Sequence, residues 1–562
     1  MHPQLHGICV HLSPTIMHSS AAQPSQIQTS MCLSIDQACD PACFVGIDAQ
    51  EVKLIETHIS WIFLVGEFAY KVKKPIRNAF LDYSTIDKRR HYCEQELRLD
   101  RRFAAPLYDS VVAVRRCDDK ILFGESVDPP GTIIDYAVKM RRFDQANLIG
   151  EKLRSGQLSR DRVIELANVI AACHSTAARQ PLSADRRSAS LAGKIRETGG
   201  INEQTPFEDA IENLTELKEL LPSERETLGE LEDWTRHFFE HHVILFEGRV
   251  RAGFIRECHG DLHLDNVVDY QGKLMPFDGI EFNDRFRWID VLSDVAFTAM
   301  DFAANGRPDF CFALVNEYLD RTGDHAALPL LRWYLVYRSL VRAKVAGIRA
   351  QQQDVIGEST SEVWQDCLRH LRLAKHFTRR SAPRLIITHG VSGSGKSYAS
   401  SQMTERIGGI RLRSDVERKR LFGLAPTQRP TQGDTGTIYS DLINEANYER
   451  LGRLAKRILF AGYPVIIDAT FLTRIQRKMF RRLAEGERAK FEILECDAPP
   501  AVLRERVRKR QALKNDPSDA TLDVLEHQIY TREPLDEDEQ RYVIRLDSVL
   551  RDYPINPSIT LP

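Results

Sequence analysis

The run Gly390-Val-Ser-Gly-Ser-Gly-Lys-Ser397 follows the apolar segment Leu385-Ile-Ile and precedes a helix-length stretch from Lys396 to Ile407. Few folds accept that pattern. Glycines at this spacing let backbone N–H groups close around an anion at a helix N-terminus, so the segment reads as strand, phosphate-binding loop and helix. Gly390, Gly393, Ser394 and Gly395 belong to the loop, Lys396 would reach the terminal phosphates of a nucleotide, and Ser397 would ligate magnesium. Strand-sized segments at 385–388, 409–413, 465–468, 491–496 and 542–546 alternate with helix-length ones, which implies βαβ units and a parallel sheet.

A second phosphate-handling pattern lies upstream. His259-Gly-Asp-Leu-His-Leu-Asp-Asn266 is followed, twelve residues after Asn266, by Asp278 at the end of the apolar run Leu274-Met-Pro-Phe277. Phosphoryl transfer needs metal ions on the phosphates, a cation on the non-transferring phosphates and a base near the acceptor hydroxyl. Asp261 suits the base, whereas Asn266 and Asp278 are oxygen ligands for magnesium. His259, Asp261 and His263 could also be read as a metal cluster, but Asp261 is better used as the base. The two patterns hold a nucleotide by unrelated means, so one site cannot contain both, and the chain is expected to carry two sites for ATP and Mg2+.

Around the second pattern, segments 59–65 and 68–73 flank Gly66-Glu67 as a β-hairpin. A helix over 88–103 and strands at 111–114, 121–123 and 133–140 complete a small β-rich lobe, and mainly helical segments from 160 to 373 make a larger α-rich one. Lys71 and Lys73 fall on one face of the same strand, because strand side chains alternate with period two. The basic, Pro-broken stretch His376 to Arg384 marks a boundary.

Residues 50–375, through His259–Asn266, Phe277-Asp278 and Ser293-Asp-Val-Ala-Phe297, resemble the aminoglycoside and choline phosphotransferase family, whose fold is that of the protein kinases. The resemblance implies that Asp261 is the catalytic base, that Asn266 and Asp278 bind magnesium, and that His259 and Asp294 brace the structure. It also calls for a strand lysine paired with a helix glutamate. Lys71 is preferred to Lys73, and Glu96 to Glu94. The glycine-rich nucleotide loop is missing; only Gly66 marks the turn.

After the phosphate loop, Arg413-Ser-Asp-Val-Glu-Arg418 and Val465-Ile-Ile-Asp468 resemble the small P-loop kinases: polynucleotide kinase, zeta-toxin-like kinases and gluconate kinase. By that resemblance Asp415 is the base, Arg418 a substrate contact and Asp468 a metal-binding residue. The basic run Leu503–Arg510 sits where these kinases carry a lid, and Arg506 and Arg510, four apart, would close on the phosphates. This run and the basic residues at 474–482 would suit a nucleic-acid 5′ end, but no aromatic interleaving supports base stacking, so a nucleic acid is disfavoured as acceptor.

The expected architecture is multidomain, α+β and α/β. A protein-kinase-like (aminoglycoside phosphotransferase) two-lobe domain over 46–378 precedes a P-loop NTPase parallel-sheet domain over 379–562, an order that resembles a bacterial fusion family of an aminoglycoside phosphotransferase-like and an ATP-binding module. Residues 1–45 read as a disordered leader or a misplaced start, with Met17 and Met31 as alternatives. The expected function is bifunctional ATP-dependent phosphotransfer to hydroxyls of small-molecule acceptors. The rivals make one half a nucleotide-binding regulator, or the C-terminal half a polynucleotide or nucleotide-sugar kinase.

Composition limits the partners. A net charge of −2 over 562 residues provides no global attraction to nucleic acid or anionic lipid, and no apolar run approaches the roughly 20 residues of a membrane span. Met1 to Ser30 holds no Lys or Arg, which argues against a secretory signal. Eleven thinly spread cysteines do not form a disulfide framework, and the single pair Cys39/Cys43 is a weak zinc signal, so a cytoplasmic setting is expected.

Overall fold

The computed structural model describes residues 33–78, 81–124, 131–180, 205–356, 360–429, 438, 440–513 and 518–546. The expected leader lies outside these as far as residue 32.

The small lobe is an antiparallel sheet of β1 (Val52–Glu56), β2 (Ser60–Val65), β3 (Phe68–Lys73), β4 (Tyr108–Cys117), β5 (Lys120–Gly124) and β6 (Thr132–Arg141), in the order β1-β2-β3-β6-β4-β5. The Gly66-Glu67 turn sets Val65 opposite Phe68, which fixes the register of the hairpin. Tyr70 and Val72 of β3 then enter the core on one face of the sheet with Phe63, Val114 and Phe123. Ala69 enters the core of the other face with Ile62, Val138 and Met140. That second face also receives α1 (Ile86–Ala104), entered through Thr85, whose hydroxyl accepts from the Lys88 amide. β1 has no counterpart in the sequence reading; five residues at a sheet edge carry too little alternation to stand out.

Residues 33–45 correct the leader expectation. A helical turn, Ile35–Ala38, leads to Phe44, which is buried and stacks on Phe123 at 4.5 Å between ring centroids. The segment covers the face of the sheet opposite α1, which would otherwise expose its aromatic residues to water.

The large lobe contains α2 (Arg160–Thr176), α3 (Pro206–Leu220), α4 (Arg225–Arg251), α5 (Val291–Ala304), α6 (Pro308–Thr322), α7 (Leu328–Ile356) and α8 (Ser361–Phe377). Helix α3 begins in a reciprocal capping box between Thr205 and Glu208, with Pro206 at its first position. Two short antiparallel ribbons interrupt the helices: β7 (Ile255–Glu257) with β10 (Trp288–Asp290), and β8 (Val267–Tyr270) with β9 (Lys273–Pro276).

Beyond the boundary segment, β11 (Arg384–His389), β12 (Ile410–Arg413), β13 (Val465–Asp468), β14 (Lys490–Glu495) and β15 (Val543–Arg545) form a wholly parallel sheet in the order β12-β13-β11-β14-β15. Its helices are α9 (Lys396–Ile407), α10 (Ser414–Leu421), α11 (Asp441–Phe460), α12 (Arg474–Gly486), α13 (Pro500–Leu513) and α14 (Leu522–Thr531). The central strands β11 and β13 carry the buried apolar runs Leu385-Ile-Ile387 and Val465-Ile-Ile467, as a sheet covered on both faces requires. One apolar core runs from the large lobe into this sheet, joining Phe312 and Trp333 to Ile410, Leu412 and Tyr463. Among the described residues no helix is long and apolar enough to cross a membrane.

Candidate active sites

The first site lies between the lobes. Period-two alternation puts Lys71 and Lys73 of β3 on the face toward α1, and both reach Glu96 there. Lys71 Nζ is 2.9 Å from Glu96 Oε1, and Lys73 Nζ is 2.7 Å from Oε2. Burial opposes ionisation of Glu96, yet the two ammonium groups hold its carboxyl down at about 2. Lys71 also pairs with Asp278 Oδ1, whereas Lys73, fully buried, pairs with Glu281. Lys71 therefore occupies the position facing the cleft, and Lys73 belongs to the scaffold behind it. Glu94 pairs with Arg90 on the surface and takes no part.

The His259–Asn266 pattern closes on itself. Gly260 adopts φ +87°, and a Cβ there would lie 2.6 Å from the Phe286 carbonyl oxygen, so a side chain is excluded. Its amide and that of His259 both donate to Asp294, which also meets His174 Nε2 at 3.1 Å. His259 Nε2 lies 2.9 Å from the Phe277 carbonyl oxygen. His259 and Asp294 thus tie the loop to α5 and to the strand end that carries Asp278.

Asn266 Nδ2 donates to the Asp261 carbonyl at 3.0 Å and to Asp261 Oδ2 at 3.2 Å, which leaves Asn266 Oδ1 as the group available to a cation. Asp278 adopts φ +61° and is buried; its amide donates to Tyr108 Oη at 3.0 Å, and its Oδ2 has no hydrogen-bond partner. Burial, with Glu281 adding to it, pushes the Asp278 carboxyl upward, while the Lys71 ammonium at Oδ1 favours its charged form. An orphaned carboxylate oxygen and an amide oxygen, both hard donors, fit magnesium. His174, Cys258 and Asp294 also lie within ligand distance of one another, but His174 Nδ1 already meets Tyr318 Oη at 2.9 Å and Asp294 already receives two amides, so this cluster is a brace.

Asp278 lines two cavities. One is a cleft of about 990 Å³ under the sheet, lined by Ile62, Ala69, Lys71, Met140 and Phe277. The other contains Asp261 together with Asp209, Arg285, Phe286 and Tyr337. The roles of Glu281, of Tyr83, whose hydroxyl donates to Glu281 Oε1 at 2.5 Å, and of Tyr108 escaped the sequence reading. Glu281 stands three residues after Asp278, but spacing alone does not reveal that it reaches Lys73 across the lobes.

The second site is built on β11 and α9. A Cβ on Gly390 would lie 2.2 Å from the Cys496 carbonyl oxygen and 2.6 Å from Ser394 Oγ, so the loop can fold this tightly only with glycine there. Gly393 and Gly395 also have positive φ. Lys396 Nζ donates to the Val391 carbonyl at 2.8 Å, curling across the loop, and burial lowers its pKa although Asp468 and Asp415 raise it. Ser394 Oγ is buried without a partner, and Ser397 is exposed at the start of α9. These features, with the buried Asp468 carboxylate, fit a magnesium-bound polyphosphate.

Asp415 and Arg418, one turn apart on α10, are 3.4 Å apart, and Arg418 Nη2 also donates to Asn444 at 3.1 Å. Arg506 donates to the Gly393 carbonyl at 3.1 Å and so braces the loop. Arg510 has Nε and Nη2 buried without hydrogen-bond partners and lies close enough to Lys396 to lower its pKa. Gln528 of α14, absent from the sequence reading, accepts from the Ser392 amide at 2.8 Å.

A family model described as an AAA domain matches residues 385–535. The chain is 28% identical over 475 residues, 84% of its length, to Uncharacterized protein Rv2004c of Mycobacterium tuberculosis (strain ATCC 25618 / H37Rv), of which 88% is covered. Among solved structures, choline kinase from Cryptosporidium parvum Iowa II is similar at 11% identity, with 60% of this chain and 93% of that one covered and a TM-score of 0.36. A gluconokinase from Sinorhizobium meliloti 1021 is similar at 21% identity, with 32% and 94% covered and a TM-score of 0.23. The chain joins a two-lobe α+β module, which carries the kinase-like pattern of the sequence, to a P-loop α/β module with a parallel sheet that the AAA-domain model matches.

Proposed function

We propose that both modules, meeting near residue 379, are ATP- and magnesium-dependent phosphotransferases, each moving the γ-phosphoryl group of ATP to a hydroxyl of a small-molecule acceptor. The observation that carries this for the kinase-like module is that Asp278 lines both the cleft beside Lys71 and the cavity containing Asp261. A phosphoryl group delivered at Asp278 from one side would meet an acceptor waiting on the other.

Within that arrangement Lys71, fixed by Glu96, holds the non-transferring phosphates. Asp261 orients the acceptor hydroxyl and takes its proton as the new O–P bond forms and the bond to the β-phosphate oxygen breaks. Asn266 and Asp278 would hold magnesium, which neutralises charge on the phosphate oxygens. In the P-loop module Gly390–Gly395 cradle phosphates, Lys396 swings from the Val391 carbonyl to the terminal ones, and Asp415 takes the acceptor proton. Ser397 and Asp468 would hold the metal, Arg418 would contact the acceptor, and Arg510 would close on the transferred group. The net charge of −2 supports a small molecule over a nucleic acid.

The test is ATP turnover by the full-length protein over a metabolite pool, read by mass spectrometry, with Asp261→Ala and Lys396→Ala assayed separately. Each variant should remove a different phosphorylated product. A pool phosphorylated identically by wild type and both variants would overturn the reading, and activity of the P-loop module that falls steeply with salt would turn it toward a nucleic-acid acceptor.

A further inference from the structure

The P-loop sheet does not end in solvent on its β12 side. An edge strand presents unpaired backbone groups, and here a helix of the other module meets them. Asn316 of α6 donates from Nδ2 to the Gly409 carbonyl at 3.0 Å, while its Oδ1 accepts from the Arg411 amide at 2.6 Å. One side chain thereby pairs two backbone groups of the edge. Gly408, just before the strand, would place a Cβ 2.9 Å from the Phe312 ring, so the helix and the strand end are in close contact.

One turn further along α6 stands Asp320, which is 4% exposed. It receives Arg411 Nη2 at 3.3 Å and lies 3.7 Å from Arg413 Nη1. Both arginines continue into the P-loop site. Arg411 Nη1 donates to the Ser397 carbonyl at 3.3 Å, and Arg413 Nε lies 3.9 Å from Asp468 Oδ2. A carboxylate of the kinase-like module therefore stands one residue behind both Ser397 and Asp468.

The Arg413 guanidinium is shared between Asp320 and Asp468 at nearly equal distances, 3.7 and 3.9 Å. Removing the Asp320 charge tips that balance toward Asp468. A guanidinium seated on Asp468 competes directly with any cation that carboxylate serves.

We propose that Asp320 is a positioning residue of the P-loop site: it draws Arg411 and Arg413 toward the interface and keeps Asp468 open to a nucleotide-bound divalent cation. The second site is then complete only with the kinase-like module docked against it. This rests on reading the P-loop module as a nucleotide site.

The test uses full-length protein carrying Asp278→Asn, which silences metal–nucleotide binding at the first site, and measures the affinity for fluorescent ADP with Mg2+ and with EDTA. Adding Asp320→Asn should lower the Mg2+-dependent affinity about 10-fold or more while leaving the EDTA value nearly unchanged, and Asp320→Glu should restore it. Asn316→Ala, a cut in the same interface one turn away, should lower the unfolding midpoint without altering the ratio of the two affinities. An unchanged ratio in Asp320→Asn, or an equal change in Asn316→Ala, overturns the positioning role. If Lys396→Ala in the same background leaves the full signal, the P-loop reading itself falls and the inference falls with it; if Lys396→Ala abolishes the signal while Asp320→Asn does nothing, only the inference falls.

Discussion

Lys71 and Asp278 are ion-paired across the cleft, and the same lysine holds Glu96 at 2.9 Å, so one ammonium joins the small lobe, its helix and the end of the segment from His259 to Asp278. Lys73, two residues on, forms a parallel connection to Glu96 and Glu281 that is sealed from water. Burial works against the charge of Lys73, yet Glu281 and Glu96 raise its pKa well above the ordinary lysine value.

The two lysines should therefore separate in experiment. Lys71→Met would remove the charge-assisted contact to phosphate proposed for this residue and should weaken nucleotide binding at the first site about 10-fold or more. Lys73→Met leaves Glu281 buried without its cation and should cost about 3–5 kcal/mol of stability. Nucleotide titration and denaturant unfolding distinguish them; equal loss of stability in both would contradict the division of roles.

Phe44 stacks on Phe123 and is tilted against Tyr70 at 4.8 Å. Phe44→Ala should lower stability by about 3–5 kcal/mol. Asp36→Ala should leave it nearly unchanged, because that side chain is exposed on the same helical turn while Leu33 and Ile35 pack against the sheet. Urea unfolding of the two variants checks this.

Gly390→Ala forces a methyl group into the Cys496 carbonyl oxygen, 2.2 Å away, at a backbone φ of +155°. Nucleotide binding at the P-loop site should fall more than about 10-fold, since the strain can be relieved only by opening the loop. Binding at the first site, with Lys396 intact or replaced, should stay as it was.

His389 ends β11 with Nδ1 3.1 Å from the Phe471 carbonyl oxygen and Nε2 receiving Arg532 Nε at 3.3 Å. The geometry is that of a neutral ring, donating through Nδ1 and accepting at Nε2. Burial and then the Arg532 charge lower its pKa from 6.5 to about 4. The folded state thus binds fewer protons than the unfolded one between these values, so the stability from His389 is present above about 6.5 and is lost as pH falls toward 4. Wild type should lose about 2 kcal/mol more than His389→Gln between about pH 7 and 5, measured by thermal unfolding. Parallel pH profiles would rule this out.

Much of the two folds was legible locally. The Gly66-Glu67 turn between alternating runs marked the β2–β3 hairpin, and the apolar runs 385–388 and 465–468 lie within or coincide with β11 and β13. Gly390 to Ser397 placed its loop between strand and helix because glycine spacing and the following helix are neighbours in the chain. The short edge strand β1 and the helical turn Ile35–Ala38 were not legible, since few residues and no strong period mark them.

Taken alone, the sequence singled out the candidate residues for phosphate chemistry and most of the strand and helix segments, because those follow from side-chain type and from periods of two and 3.6 residues. It narrowed the strand lysine to Lys71 or Lys73. Only the tertiary structure separated them by burial and partner, brought Phe44 into the small lobe, and set Asn316 and Asp320 of one module against the edge strand of the other. Those pairings join residues some 80 to 210 positions apart, and their energies depend on distance and burial, which exist only once the chain has folded.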